Sequence, residues 1–342
     1  KPVVVWNVTK GCNLSCIHCY AQAQRYRNED ELSLKEGLSL IEDLASFGVP
    51  VVLFSGGEPL MRPEIYTWIL AVTRSGMRAV LSTNGTLIDK ETASKLRDLG
   101  LSYVGVSLDG LEDVNDRFRG KKGAFKEALK GIEECRKAGI KVGLRFTVNK
   151  MNYGQVSHIF DLIEAEDIPR VCFYHLVYAG RGSRLMDQDL TKSQTRSVVD
   201  LIMDRTRELF EKGMPKEVLT VDNHADGPYV YLRMKREGNP RAEEVLELLK
   251  MNEGNNSGKG IGCISWDGNV HADQFWRHYS FGNVRERPFS EIWTDLSNPL
   301  MAQLKDKKRY VKGRCSLCKW LDICAGNFRV RAEAATGDLW GE

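Results

Sequence analysis

No stretch of this 342-residue sequence approaches the roughly 20 consecutive apolar residues that a membrane-crossing helix needs, so no membrane span is expected. Nor does a charged and then apolar leader precede the first globular pattern, so secretion is not expected. Charge of one sign is scarce in excess. Lys+Arg number 49 against 46 Asp+Glu, a net +3, which is too slight to argue for nucleic acid or a membrane surface as partner. Tandem repeats and low-complexity tracts are missing as well, which excludes a solenoid. What is present is a core-forming composition, 42% hydrophobic with 9% aromatic, a mean hydropathy of −0.35, and nine cysteines.

The cysteines are clustered. Cys12, Cys16 and Cys19 stand near the start, Cys263, Cys315, Cys318 and Cys324 near the end, and Cys135 and Cys172 alone between them. Disulfide frameworks belong to short secreted chains, so grouping of this kind in a long chain points to metal ligation in a reducing compartment, and a cytoplasmic location is expected.

Short apolar runs recur at Val3 to Trp6, Val51 to Ser55, Arg78 to Ser82, Tyr103 to Ser107, Lys141 to Val148 and Val171 to Leu176. Helical patterns separate them, with stripes such as Leu34, Leu38, Ile41 and Leu44, or Phe125, Leu129 and Ile132. Six strand-helix units with continuously apolar strands predict an α/β fold whose parallel sheet is covered by helices, as an incomplete barrel rather than an open sheet. That unit is expected over residues 1–190. A helical connecting region follows over 191–260, with a loop at Asn223 to Pro228. A smaller module over 261–342 opens with a hairpin around Asp267-Gly268-Asn269. The basic run from Lys305 through Lys307, Lys308, Arg309 and Lys312 to Arg314 reads as a solvated face.

Cys12-Asn13-Leu14-Ser15-Cys16-Ile17-His18-Cys19-Tyr20 places three thiolates on the loop after the first strand. A four-iron cluster held by three thiolates keeps one iron without a protein ligand, and that iron can chelate S-adenosylmethionine. Zinc is the competing reading, but structural zinc sites close at four ligands. The C-x3-C-x2-C spacing resembles the signature of the radical S-adenosylmethionine (SAM) superfamily. Barrels place working groups at the carboxyl ends of their strands. There, Ser55-Gly56-Gly57-Glu58-Pro59 resembles the superfamily's GGEP segment, and Ser82 with Asn84 and Ser107 with Asp109 end the next two strands. The resemblance implies a partial (β/α)6 barrel. It also implies cofactor contacts at His18, Tyr20, Gly56, Gly57, Glu58, Pro59, Ser82, Asn84, Ser107, Asp109 and Arg145, the last toward the methionine carboxylate.

In the late cluster Cys315, Cys318 and Cys324 lie close together in sequence and Cys263 lies far upstream beside the hairpin. Four thiolates suit a second 4Fe–4S cluster, and the segment resembles the auxiliary-cluster module called SPASM or twitch. A four-cysteine zinc site is the alternative. If the natural chain runs past Glu342, a further ligand there would replace Cys263. Cys135 and Cys172 fall on core positions and are expected to be inert.

Asp116-Arg117-Phe118-Arg119-Gly120, Phe173 to Gly182, Asp222-Asn223-His224-Ala225-Asp226, His271 to Trp276 and Ser280 to Val284 resemble the radical enzymes of tetrapyrrole side-chain modification. Within these, the heme synthases of the siroheme-dependent pathway are favoured over their heme d1 relatives. The implied reaction converts two propionates of iron-coproporphyrin III to vinyl groups, giving protoheme, with no catalytic side chain because the SAM-derived radical carries the chemistry. A tetrapyrrole substrate and an electron donor such as ferredoxin or flavodoxin are the implied partners. His175, Tyr178, Arg181, Arg184, Trp276 and Arg277 are the residues suited to an aromatic, iron-bearing, four-carboxylate substrate. Propionate removal in heme d1 synthesis, radical peptide modification, and a non-catalytic heme or iron–sulfur carrier are the alternatives.

Overall fold

The computed structural model describes residues 1–342. Six apolar strands appear where the sequence placed them: β1 (Val3–Thr9), β2 (Val51–Gly56), β3 (Arg78–Thr83), β4 (Tyr103–Ser107), β5 (Val142–Val148) and β6 (Arg170–His175). Between them run α1 (Leu34–Phe47), α2 (Ile65–Arg74), α3 (Lys90–Asp98), α4 (Glu112–Arg119), α5 (Ala124–Lys137) and α6 (Val156–Ala165). Each strand pairs in parallel with the next, as crossovers through helices require. α1 starts on a capping box, in which Ser33 accepts from Glu36 N and Glu36 accepts from Ser33 N at 2.7 Å, and stops at Gly48 with φ +83°. Its buried face is Gly37, Leu40, Ile41 and Leu44; Leu34, expected inward, is 41% exposed at the helix entry.

Three features depart from the sequence reading. After α7 (Lys192–Glu211), β7 (Glu217–Val221) adds a seventh parallel strand beyond β6, inside the stretch expected only to connect. Its faces are half-exposed because it is an edge, so its apolar alternation is weak. The Asn223 to Pro228 loop is shorter than expected, since α8 (Asp226–Arg236) begins at Asp226 and leads to α9 (Ala242–Asn252). At the opposite edge β8 (Ile261–Ile264) pairs in parallel with β1, and β9 (Val270–His271) returns antiparallel to it as the predicted hairpin.

The sheet therefore reads β7-β6-β5-β4-β3-β2-β1-β8-β9 and does not close. Its core is one cluster of 60 buried residues reaching from Val4 to Trp340, which includes residues of α10 (Phe289–Thr294), α11 (Pro299–Lys305) and, after the short α12 (Leu321–Cys324), α13 (Arg329–Thr336). The basic run is not all solvated face. Lys307 is buried, with Nζ donating to Asn255 O at 2.6 Å and Ser257 O at 2.8 Å. Burial lowers it to about 7, against the opposing pull of Asp273. No helix is long and apolar enough to cross a membrane.

Candidate active site at the carboxyl ends of the strands

Because β1 to β8 run parallel, the loops that follow them gather at one end, around a cavity of about 1190 Å³ including its mouth. Cys12, Cys16 and Cys19 line it, with His18 and Tyr20 of the same loop. The loop is seated by glycine. Gly57 N donates to Thr9 O at 2.7 Å and Glu58 N to Gly11 O at 2.8 Å, and a Cβ on Gly57 would lie 2.0 Å from Gly11 O. Leu14, Ala23 and Ala124 form a separate apolar pocket around the three thiols.

The donor set fits an iron–sulfur cluster. Leu14 N points at Cys12 Sγ and Ala23 N at Cys19 Sγ, both at 3.4 Å, while Arg119 Nη1 lies 3.6 Å from Cys16 Sγ. Hydrogen bonds of this kind stabilise thiolate charge. Burial, with Glu58 as a second contribution, pushes the Cys12 thiol up to about 12. A bound iron–sulfur cluster would supply the positive charge that keeps such a buried thiol deprotonated. No group of three or more His, Cys, Asp or Glu side chains sits close enough around one point to hold a single metal ion.

The other predicted cofactor residues divide between wall and scaffold. Gly56, Gly57, Ser82, Asn84, Ser107 and Arg145 line the cavity. Glu58 and Pro59 do not; the fully buried Glu58 accepts from Thr83 Oγ1 at 2.7 Å and Asn84 N at 2.8 Å, tying the end of β2 to the end of β3. Asp109 is likewise behind the wall, paired with Arg119 and 3.3 Å from His18 Nε2, and it accepts from Thr147 N at 3.0 Å. Tyr20 donates to Asn7 Oδ1 at 3.0 Å and packs edge-on against Phe275. Arg145 Nη1 donates to Ser82 Oγ at 2.7 Å and has no carboxylate partner, so a fixed positive charge faces the cavity.

The residues expected at the substrate are dispersed. His175 lines the cavity with Nε2 2.7 Å from Asp226 Oδ2. Arg181 also lines it, but Nε and Nη1 donate to the carbonyls of Cys16 and Ala23, leaving only Nη2 unpartnered. Tyr178 and Arg277 line a second cavity of about 1020 Å³, which shares Tyr20 and Phe275 with the first. Trp276 is core, fully buried with Nε1 donating to Glu333 at 2.6 Å, and its neighbour Phe275 is the wall. Arg184 is exposed on the 3-10 helical segment Gly180–Gln188 and lines neither cavity. Arg119 and Asp222 were given no role from sequence, although both stand in segments that carried the resemblance. Both line the cavity, Asp222 from the end of β7 and Arg119 from the carboxyl end of α4, positions that only the tertiary structure reveals.

The late cysteines are not brought together as four. Cys315, partly buried and beside Cys318 and Cys324, has Arg329 and Glu342 as its charged neighbours. Cys263 is fully buried in β8 between β1 and β9, with Asn7 Nδ2 at 3.5 Å and Asp273 and Arg277 as its charged neighbours. β8 belongs to the main sheet, and the charged neighbours of Cys263 are not those of Cys315. Cys135 and Cys172 are buried, as expected.

Comparisons with known proteins agree with this architecture. The Radical SAM superfamily model matches residues 6–163, and SPASM, an iron-sulfur cluster-binding domain, matches residues 258–319. The chain is 64% identical over its whole length to Fe-coproporphyrin III synthase of Methanosarcina barkeri, covering 86% of that protein. It is 40% identical to pre-heme d1 synthase of Dinoroseobacter shibae, with 100% of this chain and 85% of that protein covered. Against the AdoMet-dependent heme synthase of Methanosarcina barkeri it is 34% identical, with 99% and 94% covered. Among solved structures, Streptococcus suis SuiB bound to its precursor peptide shares the fold at TM-score 0.76 and 19% identity, over 96% of this chain and 72% of that one. The cofactors are S-adenosylmethionine, a 4Fe–4S cluster and an auxiliary iron–sulfur cluster. The chain is thus a radical SAM enzyme with a carboxyl-terminal SPASM domain, and it belongs to the same family as Fe-coproporphyrin III synthase, pre-heme d1 synthase and the AdoMet-dependent heme synthases.

Proposed function

We propose that the chain performs radical chemistry on the acidic side chains of an iron-tetrapyrrole, with iron-coproporphyrin III on one side of the reaction. The observation that carries this reading is 64% identity along the entire chain to a protein named Fe-coproporphyrin III synthase. Decarboxylation of iron-coproporphyrin III to protoheme, the reading made from sequence, is supported by the relatives named heme synthases, at 34% and 32% identity. The greater identity to a synthase of iron-coproporphyrin III supports that compound as product, formed from an iron-tetrapyrrole with different peripheral side chains. Removal of propionates, the heme d1 reading, has support at 40%.

In this proposal Cys12, Cys16 and Cys19 hold the SAM-binding cluster, and Cys315, Cys318 and Cys324 contribute to the auxiliary one. The bound cluster and SAM supply a one-electron cleavage that leaves a hydrogen-abstracting carbon radical. The protein's own part is placement. Arg145 and the free Nη2 of Arg181 meet carboxylates, and Tyr20, Tyr174 and Phe275 give apolar faces to a flat ring. Leu14, Val177 and Phe275 keep water from the reacting carbon. An electron donor such as ferredoxin or flavodoxin supplies the reducing electron.

Product mass tests the proposal. Reconstituted enzyme, reductant and SAM are incubated in one arm with iron-coproporphyrin III and in another with iron-tetrapyrroles bearing additional acidic side chains. Formation of iron-coproporphyrin III in the second arm, with the first arm unchanged, is the expected result. Loss of two carboxyl groups as carbon dioxide in the first arm establishes the heme-forming reading instead. Formation of 5′-deoxyadenosine without tetrapyrrole turnover in either arm overturns both.

A further inference from the structure

The segment Asp222 to Asp226 was singled out in the sequence, and all but its first residue is accounted for by the fold. Asp226 Oδ1 accepts from Asn223 Nδ2 at 2.7 Å while its Oδ2 meets His175. Asn327 Nδ2 donates to Asn223 Oδ1, and Asn327 Oδ1 accepts from His224 N, both at 2.8 Å. These contacts latch the end of β7 to the loop that enters α13. Asp222, left over, is held at φ +67°, a conformation that non-glycine residues other than Asn and Asp seldom adopt. It is 7% exposed, lines the main cavity, and its Oδ2 has no hydrogen-bond partner.

The groups facing Asp222 do not neutralise it. Asp273 is a charged neighbour whose Oδ1 accepts from Phe275 N and Trp276 N and whose Oδ2 is unpartnered; Lys307 faces Asp273 but makes no ion pair with it, donating instead to the carbonyls of Asn255 and Ser257. Arg331 is engaged by Asp189 and Tyr178, Arg145 donates to Ser82, and Tyr174 is the remaining titratable neighbour. Two buried carboxyls near one another and without a dedicated cation do not both ionise. A substrate carboxylate entering such a cavity meets Asp222 on favourable terms only when a proton lies between them. We propose that Asp222 is a substrate-contacting residue that donates a hydrogen bond, as a neutral carboxyl, to a carboxylate on the rim of the substrate. The assignment rests on the tetrapyrrole reading above, and it sets Asp222 against acidic side chains of the substrate where the end of β7 and the segment after β9 face one another. Burial first, and Asp273 second, raise Asp222 to about 8, in keeping with a neutral group at physiological pH.

Binding is measured on reconstituted holoenzyme without reductant, titrating iron-coproporphyrin III and following its absorption band, at pH values on either side of about 8. Wild-type affinity is expected to hold below that pH and to fall by up to about tenfold per pH unit above it, because the donating proton is lost. Asp222→Asn keeps a neutral donor and tolerates positive φ, so it should bind within about threefold of wild type at neutral pH and lose the dependence above about 8. Asp222→Gly removes the donor without strain at this φ and should bind about tenfold more weakly, the worth of one hydrogen bond to a charged group. Cluster absorbance confirms that each variant is folded and loaded. Wild-type affinity in Asp222→Gly, or an unchanged pH slope in Asp222→Asn, overturns the assignment while leaving the tetrapyrrole reading intact. A wild-type enzyme that binds neither iron-coproporphyrin III nor an iron-tetrapyrrole bearing additional acidic side chains overturns both.

Discussion

Gly57 has the tightest steric constraint in the site, because its position is set by backbone on both sides: the carbonyl of Gly11 occupies the place where a Cβ would go. Gly57→Ala is expected to displace the cysteine loop and cost about 1–3 kcal/mol, since neither backbone segment can yield freely. Iron analysis should show that it loses the first cluster while folded structure by circular dichroism persists. Asp109 is a second such residue. It holds the buried Arg119, which in turn reaches Cys16, so Asp109→Asn strands a guanidinium away from water. A loss of about 3–5 kcal/mol in urea denaturation of the apoprotein is expected; a loss under about 1 kcal/mol would mean that Arg119 finds another partner. The sequence placed Asp109 among the cofactor contacts by its position after β4. Its side chain instead points behind the wall, which depends on Arg119 folding back from α4, and nothing in the spacing reveals that.

At the scale of elements, the strands of the parallel sheet were legible from their continuous apolar runs, and the start of α1 rests on signals as local as those. Ser33 and Glu36 stand three apart before an apolar stripe, and the capping box formed. Hydrogen bonds from Ser33 N and then Ser33 Oγ hold the Glu36 carboxyl down to about 2, against an ordinary value of 4.5. A depressed carboxyl contributes stability above 4.5 that is lost as pH falls toward 2. Glu36→Gln should therefore destabilise by about 0.5 kcal/mol at neutral pH, and the gap to wild type in urea midpoint should narrow as the buffer is acidified below pH 4.5. A gap that is constant with pH would show that the carboxylate charge contributes nothing. β7 was illegible for the opposite reason. An edge strand that buries neither face fully keeps no strong period, and its pairing with β6 is made by backbone groups that every sequence carries.

Across the whole molecule the two cysteine groups divide the cofactors, and the strand order decides which thiols share a site. With two 4Fe–4S cubanes the protein should hold about eight irons, and replacing Cys12, Cys16 and Cys19 together with alanine should leave about four. Because β8 carries Cys263 into the main sheet, among charged neighbours that Cys315 does not share, Cys263→Ala is expected to retain the full iron content, whereas Cys315→Ala should lose the auxiliary iron. Iron loss in the Cys263 variant would restore it to the ligand set. By itself the sequence determined the parallel α/β architecture, the open three-cysteine loop, the glycines beneath it and the family, since each depends on residues within a few positions of one another or on a repeated period. The tertiary structure decided the rest. It placed Asp222 at a strand end facing the cavity, turned Asp109 into a brace, sent Trp276 into the core in favour of Phe275, left Arg184 in solvent and put Cys263 in the main sheet. These outcomes follow from strand order, edge pairing and the path of buried charges, which join residues far apart in the chain and leave no local mark in it.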